Sequence, residues 1–395
     1  MSGARIAVAA PGAPVLSSLP PLSLYVHIPW CVRKCHYCDF NSHEARADAP
    51  FAAYVDALVA DLESSLPQVW GRNVHTVFFG GGTPSLMPPA ELDRLLAAIR
   101  ARLPLAADAE ITLEANPGTV EAGHFKAFRD AGVNRLSIGV QSFNDRHLKA
   151  LTRIHGADEA RRAIAAAQAC FDNINLDLMF ALPGQTMAEC EADVDAALAF
   201  GTPHISLYHL TIEPNTYFHR YPPTLPDDDL AADMQAMIGE RLDAVGYQHY
   251  ETSAYARPGF QCRHNLNYWR FGDYLGIGAG AHGKISFADR VERSVKRKNP
   301  RDYLAALPGS FNLEQKAVGA RDLPFEFMLN ALRLCDGFTL NLFAERTGLP
   351  LAAIGATLAQ AEQRGLIRRD HVNVVPTERG RLFLNELVAM FLPEA

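Results

Sequence analysis

From residue 24 onward, short apolar runs alternate with longer stretches whose apolar positions recur every three or four residues. The runs at 24–28, 76–79, 110–114, 135–140, 174–180 and 204–210 predict strands. They read as near-continuous apolar segments, the pattern of parallel strands covered on both faces. Helical periodicity between them, as at 54–66, 90–103, 157–170 and 188–200, predicts the crossover helices. Six consecutive βα repeats imply an α/β architecture in which a parallel sheet curls into a partial barrel over residues 21–255.

The pattern changes after that. Residues 256–310 read as an extension of the barrel and carry His264-Asn265-Leu266-Asn267-Tyr268-Trp269. Breakers at Asn299-Pro300 and Leu307-Pro308-Gly309 precede helical stretches at 324–334 and 351–364, a short strand pair near 371–375 and a last helix over 377–391. Helices followed by a small β wing predict a C-terminal winged-helix-like α+β domain over 311–395. At the other end, residues 1–20 hold a single cation, Arg5, and an Ala/Val run broken by Pro11 and Pro14. They read as a flexible leader rather than a targeting signal.

Composition narrows the function. A chain of 395 residues exceeds what one core usually spans, and 48% apolar with 21% charged residues is ordinary for a globular protein. No window approaches the roughly 20 apolar residues of a membrane span, so membrane contact is limited to the periphery. The net charge of −7 argues against nucleic acid as the partner. The C-terminal segment agrees: Arg321 to Ala395 holds eight Arg, no Lys and nine acidic residues, with no stripe to track phosphates. Seven cysteines in a long chain without secretory features imply no disulfide framework and a cytoplasmic setting.

Three of those cysteines, Cys31, Cys35 and Cys38, fall within eight residues just after the first predicted strand. Gly80-Gly81-Gly82 follows the second strand, Glu114 closes the third, Gln141 follows the fourth and Asp177 lies in the fifth. Chemistry in parallel barrels collects at the carboxyl ends of strands, so these positions converge on one site. Three thiolates on one loop anchor three irons of a cubane and leave the fourth open. A zinc site is the competing reading, and it needs a fourth protein ligand such as His36 or His43.

The spacing Cys31-x3-Cys35-x2-Cys38, with Tyr37 before the third cysteine, resembles that of radical S-adenosylmethionine (SAM) proteins. More narrowly, residues 23–31, Gly80-Gly81-Gly82-Thr83-Pro84, Glu114-Ala115-Asn116-Pro117, 137–142 and 176–179 resemble the oxygen-independent coproporphyrinogen III oxidase family over nearly the whole chain. The resemblance implies an incomplete (βα)6 radical SAM barrel, a [4Fe–4S] cluster on the three cysteines, SAM on the open iron and an electron donor. It also implies a SAM pocket lined by Tyr25, Tyr37, Gly81, Gly82, Thr83, Glu114, Gln141, Arg153 and Asp177, some of which belong to a second SAM site.

Two functions occur in that family. True oxidases decarboxylate coproporphyrinogen III, typically carry a further cysteine two positions after the third, and have a longer amino-terminal extension. Here that position is Phe40, and twenty residues precede the first strand. A sister group of haem chaperones resembles this chain in Cys38-Asp39-Phe40-Asn41-Ser42 and in the His-Asn-x-x-Tyr-Trp segment. That likeness implies haem as a cofactor, His264 as its ligand, and a haem-acceptor protein, such as a respiratory haem protein, as partner. Cys262 and His282 are rival ligands, and a core role for His264, Tyr268 and Trp269 is the plainer physical alternative.

Overall fold

Each apolar run becomes a strand: β1 (Leu22–Ile28), β2 (Val74–Gly81), β3 (Leu105–Ala115), β4 (Arg135–Gln141), β5 (Ile174–Phe180) and β6 (His204–His209). A computed structural model, which describes residues 14–45 and 49–393 without the side chains of 119–121, shows these strands paired in parallel in chain order. Helices α1 (Phe51–Ser65), α2 (Pro89–Arg102), α3 (Thr119–Ala131), α4 (Ala157–Gln168), α5 (Met187–Leu198) and α6 (Asp228–Ala244) cover the outer face. Leu24, Val26, Val77, Phe79 and Leu113 pack outward in one core with Leu58, Leu62, Leu92 and Leu96. The alternate positions face inward and are mostly polar, for example Ser23, Thr76, Glu110, Arg135, Asn175 and His204. The strands are therefore two-sided, with an apolar outside and a polar lumen.

The barrel stays open and the sheet is larger than six strands. The segment read as an extension supplies a further parallel strand, β9 (Asp273–Ile277), which pairs with β1. Among the described residues the sheet has twelve strands. At the β6 edge, β7 (Gln248–Glu251) and β8 (Ala254–Ala256) run antiparallel. At the β9 edge, β10 (His282–Ser286), β11 (Val291–Lys296) and β12 (Asn312–Ala317) do the same. β12 takes residues 312–317 into the large sheet, so the C-terminal domain expected over 311–395 begins after it.

One buried ion pair fixes this edge to the barrel wall. Asp61 of α1 accepts from Lys296 Nζ at 2.6 Å and from the Tyr303 hydroxyl at 2.7 Å, and is fully buried. Lys296→Met leaves that carboxylate without its cation, and a loss of about 3–5 kcal/mol in urea unfolding is expected. An unfolding free energy unchanged from the wild type would show that the pair is dispensable.

Helix α7 (Arg263–Trp269) plugs the barrel at the amino ends of the strands. Glu110 of β3 accepts from the backbone N–H groups of Arg263 and His264, at 3.2 and 3.1 Å, placing a carboxylate at the positive end of the helix. The C-terminal residues build a second core of their own around Phe327, Phe343, Leu358 and Leu387, joined by Phe271 and Val291 of the extension. Its helices are α8 (Leu323–Ala331), α9 (Leu340–Thr347) and α10 (Ala352–Gln363). A three-stranded wing follows the order Phe338–Thr339, Asn373–Pro376, Ile367–Arg369.

Three expectations need correction. The wing turns at 370–372, where Asp370 accepts from the N–H groups of Val372 and Asn373 at 2.7 Å each, so the residues near 371 are a turn between strands. The last helix breaks at Phe383 into Glu378–Leu382 and Leu384–Ala389. The later part of the leader is docked rather than free: Val15 N–H bonds Gly348 O, Leu16 N–H bonds Ala288 O, and Leu16 is buried. Residues 1–13 lie outside the described residues.

Candidate functional site

The carboxyl ends of the strands enclose a cavity of about 370 Å³. Cys31, Cys35, Cys38, Tyr37, Gly81, Gly82, Thr83, Glu114, Gln141, Arg153 and Asp177 all line it. Tyr25 does not. Its hydroxyl is held by His27 Nδ1 at 3.0 Å, one level deeper in the lumen.

The cysteine loop leaves β1 and is closed at its stem by two short strands, Trp30–Cys31 and His43–Glu44. All three thiols are half-buried and free of disulfides. Among the described residues no three His, Cys, Asp or Glu side chains converge on one point as a single metal ion requires. His36 stacks on Tyr217 with ring centroids 3.8 Å apart, which leaves its ring nitrogens free among the described residues. Cys31, Cys35 and Cys38 stand together on one loop at the edge of the cavity, the placement that three ligands of a cubane need.

The glycines explain how the loop sits so close to the sheet. The N–H groups of Gly82 and Thr83 bond the carbonyls of Ile28 and Trp30, both at 2.7 Å. A Cβ on Gly82 would lie 2.6 Å from Trp30 O and 2.9 Å from Ile28 O, both backbone atoms. Gly81 adopts φ +110° and donates its N–H to Glu114 Oε2 at 3.2 Å. Gly82→Ala is expected to cost about 1–3 kcal/mol and to lower cluster content by pushing the loop stem off β2. Thermal unfolding together with iron and sulfide analysis checks this, and normal values for both would refute it.

Arg153 is the hub of the cavity wall. Its Nη2 donates to Asn116 Oδ1 at 2.6 Å and to Gly139 O at 2.8 Å, while Nη1 reaches Cys35 Sγ at 3.5 Å. Asn116 in turn donates to Thr83 Oγ1 at 3.0 Å. The Nε of Arg153 is buried and has no partner. A buried guanidinium with a spare donor beside a cluster loop fits the carboxylate of an amino-acid ligand. Asn116 was not among the residues expected here, although it belongs to the quoted Glu114-Ala115-Asn116-Pro117 motif. Tyr208 and Glu213 also line the cavity, and nothing in their local sequence signals it.

Glu114 and Asp177 face one another in the lumen. Burial raises the Glu114 carboxyl to about 8, with the charge of Asp177 adding to the effect and the Gly81 N–H opposing it. Burial raises Asp177 as well, against hydrogen bonds from Ser137 and Asn175. A carboxyl that holds its proton more tightly when folded loses stability as pH climbs from its unfolded value of 4.5 to about 8. The ligand-free protein should therefore weaken across that window, and Glu114→Gln should weaken less. Urea midpoints at both ends of the window test this, and parallel slopes for the two proteins would rule it out.

The expected haem ligand stands elsewhere. His264 is 1% exposed and sits in the barrel plug. Thr76 Oγ1 gives its proton to Ser23, so it accepts from His264 Nδ1 at 2.7 Å, and His264 Nε2 then accepts from the Tyr268 hydroxyl at 2.9 Å. Both ring nitrogens are thus engaged. Burial lowers this imidazole to about 3, with the Arg135 charge assisting. Cys262 is fully buried 3.7 Å from Glu110, and burial pushes its thiol up to about 12, the opposite of a ready thiolate. Of the three candidate ligands only His282 is exposed. Trp269 lies under the Arg333 guanidinium, 4.2 Å from ring centre to charge.

Comparison with known proteins matches this geometry. Residues 25–197 match the Radical SAM superfamily, and residues 319–383 match the HemN C-terminal domain. The heme chaperone HemW of Escherichia coli is 51% identical over 95% of this chain and 99% of its own. The heme chaperone HemW of Bacillus subtilis is 34% identical, over 94% of this chain and 99% of its own. Among solved structures, coproporphyrinogen III oxidase (HemN) from Escherichia coli, a radical SAM enzyme, superposes with a TM-score of 0.80 at 25% identity, covering 94% of this chain and 90% of that one. At 51% and 34% identity over nearly the whole length of both chains, these relatives show that the chain belongs to the HemW family of radical SAM proteins.

Proposed function

We propose that this chain binds haem and passes it to an acceptor protein in the cytoplasm, using a [4Fe–4S] cluster on Cys31, Cys35 and Cys38 with SAM in the adjoining cavity. The observation that carries this is the 51% identity, over nearly the full length of both chains, to a protein named as a haem chaperone. Phe40 supports it, because an exposed phenyl ring stands at the cavity mouth where the oxidases typically carry another cysteine. Among the described residues no helix is long and apolar enough to cross a membrane.

The residues present fit both cofactors. The free thiols face the cavity, Arg153 offers its spare Nε to the SAM carboxylate, and Glu114 accepts from ribose hydroxyls. When bound, such a cluster supplies an electron to the sulfonium of SAM. The chain's own part is to position the ligand and hold Arg153 against Cys35. Whether that electron is ever used is a separate question from haem transfer, since a retained pocket does not compel retained chemistry.

The second reading is coproporphyrinogen III oxidation, with which the shared fold of the solved oxidase is consistent. Anaerobic incubation of the reconstituted protein with SAM, reductant and coproporphyrinogen III separates the two. Stable haem uptake without protoporphyrinogen formation is expected, and turnover to protoporphyrinogen would replace the chaperone reading.

A further inference from the structure

The haem of the proposed function needs a place, and the barrel floor does not offer one. His264, on α7, and Cys262, at its start, are buried and bonded to neighbours. The cavity above them, at about 370 Å³, lies near the lower end of the roughly 300–1,000 Å³ usual for small-molecule sites. A SAM-sized ligand bound there would fill that space and leave a porphyrin only the surface outside it.

The surface changes character at Phe40, which lines the mouth, and on the outer side of the cysteine loop next to it. Phe40, Tyr217 and Tyr221 are each more than half exposed. Tyr217 opens the short helix Tyr217–Arg220, whose Phe218 N–H bonds His36 O at 3.1 Å and so ties this helix to the cysteine loop. The His36 and Tyr217 rings stack 3.8 Å apart at 19°, and Tyr217 meets Tyr221 at 4.8 Å. Ring contacts hold the half-buried His36 imidazole, and among the described residues its nitrogens make no hydrogen bond, which leaves a lone pair available. Arg33 lines the mouth, and the guanidinium of Arg220 sits 5.4 Å from the Tyr221 ring centre.

The geometry points to this ledge as the haem site, with His36 as the axial ligand of the iron and Arg33 and Arg220 facing the propionates. The inference rests on the haem-binding reading above. An imidazole is a good axial ligand, and a stacked Tyr217 fixes the plane of that ring as an outer partner does in other metal sites. The exposed aromatic rings give the macrocycle apolar contact, and guanidinium groups match carboxylates. Charge and shape together favour a flat dianion here. Because His36 lies between Cys35 and Cys38 in sequence, haem would sit beside the cluster loop. His282 is the remaining exposed candidate, but among the described residues it has no ring contact to fix its plane, whereas His36 stacks on Tyr217.

The test is haem titration of the full-length, cluster-reconstituted protein under anaerobic conditions, followed by absorbance and by the low-spin haem signal in electron paramagnetic resonance. His36→Ala is expected to lose the imidazole-ligated signal, and Tyr217→Ala to keep it while binding haem about tenfold more weakly. His264→Ala and His282→Ala are expected to bind as the wild type does, and all four variants to keep their iron and sulfide. Wild-type signal and affinity in His36→Ala, or a loss that follows His282→Ala instead, would overturn the ledge while leaving haem binding intact. A wild-type protein that takes up no haem would overturn the proposed function, and this site with it.

Discussion

Cys35→Ala is expected to abolish the iron–sulfur chromophore, taking the reconstituted protein from about four irons and four sulfides per chain to almost none. A cubane held by three protein thiolates already leaves one iron without a side-chain ligand. Losing another leaves half its corners unheld. Cys31→Ala and Cys38→Ala should do the same. Cys35 adds a second consequence, because Arg153 Nη1 rests on its sulfur at 3.5 Å. Its removal frees the guanidinium that also binds Asn116 and Gly139, so SAM affinity should fall even where residual cluster survives. Alanine at Cys170 or Cys335, which lie outside the cavity, should leave iron and sulfide unchanged. Full cluster content in any variant of the triad, or zinc in place of iron, would end the interpretation.

His264→Ala is expected to destabilise the fold by about 3 kcal/mol while leaving the haem spectrum unaltered. The side chain fills the plug between Phe78, at 5.0 Å ring to ring, and Tyr268, at 4.8 Å. Its removal opens a void and strips partners from both Thr76 and Tyr268 in a place water does not reach freely. Urea unfolding measures the first effect and haem titration the second. Near-normal stability with a lost haem signal would return the ligand role to His264, which the family resemblance assigns to it.

Much of the barrel was legible because its signals are local. Strands β4, β5 and β6 were placed to within a residue at each end, since an apolar run bounded by polar turns reads the same in sequence as in space. The polar lumen is present in the alternating positions of Ser23, Thr76, Glu110 and Asn175, but their apolar neighbours mask that alternation in the linear chain. β9 was missed as a barrel strand because its pairing with β1 joins residues about 250 positions apart, and no short window contains that information. Helix α9 was missed for a different reason: it is eight residues long, too short for periodicity to stand out.

The sequence by itself determined that three cysteines share one loop after the first strand. Within eight residues they travel together whatever the rest of the chain does, so their spacing already brings three thiols to one place. Tertiary structure alone decided which other polar groups are available. Arg153 approaches Cys35 across 118 residues, and Thr76 engages His264 across 188. Availability is a matter of burial and of competing partners, and both are set by packing between distant segments. His264, singled out by its motif in the linear chain, is thus packed in the plug with both ring nitrogens bonded, while His36, inconspicuous between two cysteines, makes no side-chain hydrogen bond among the described residues.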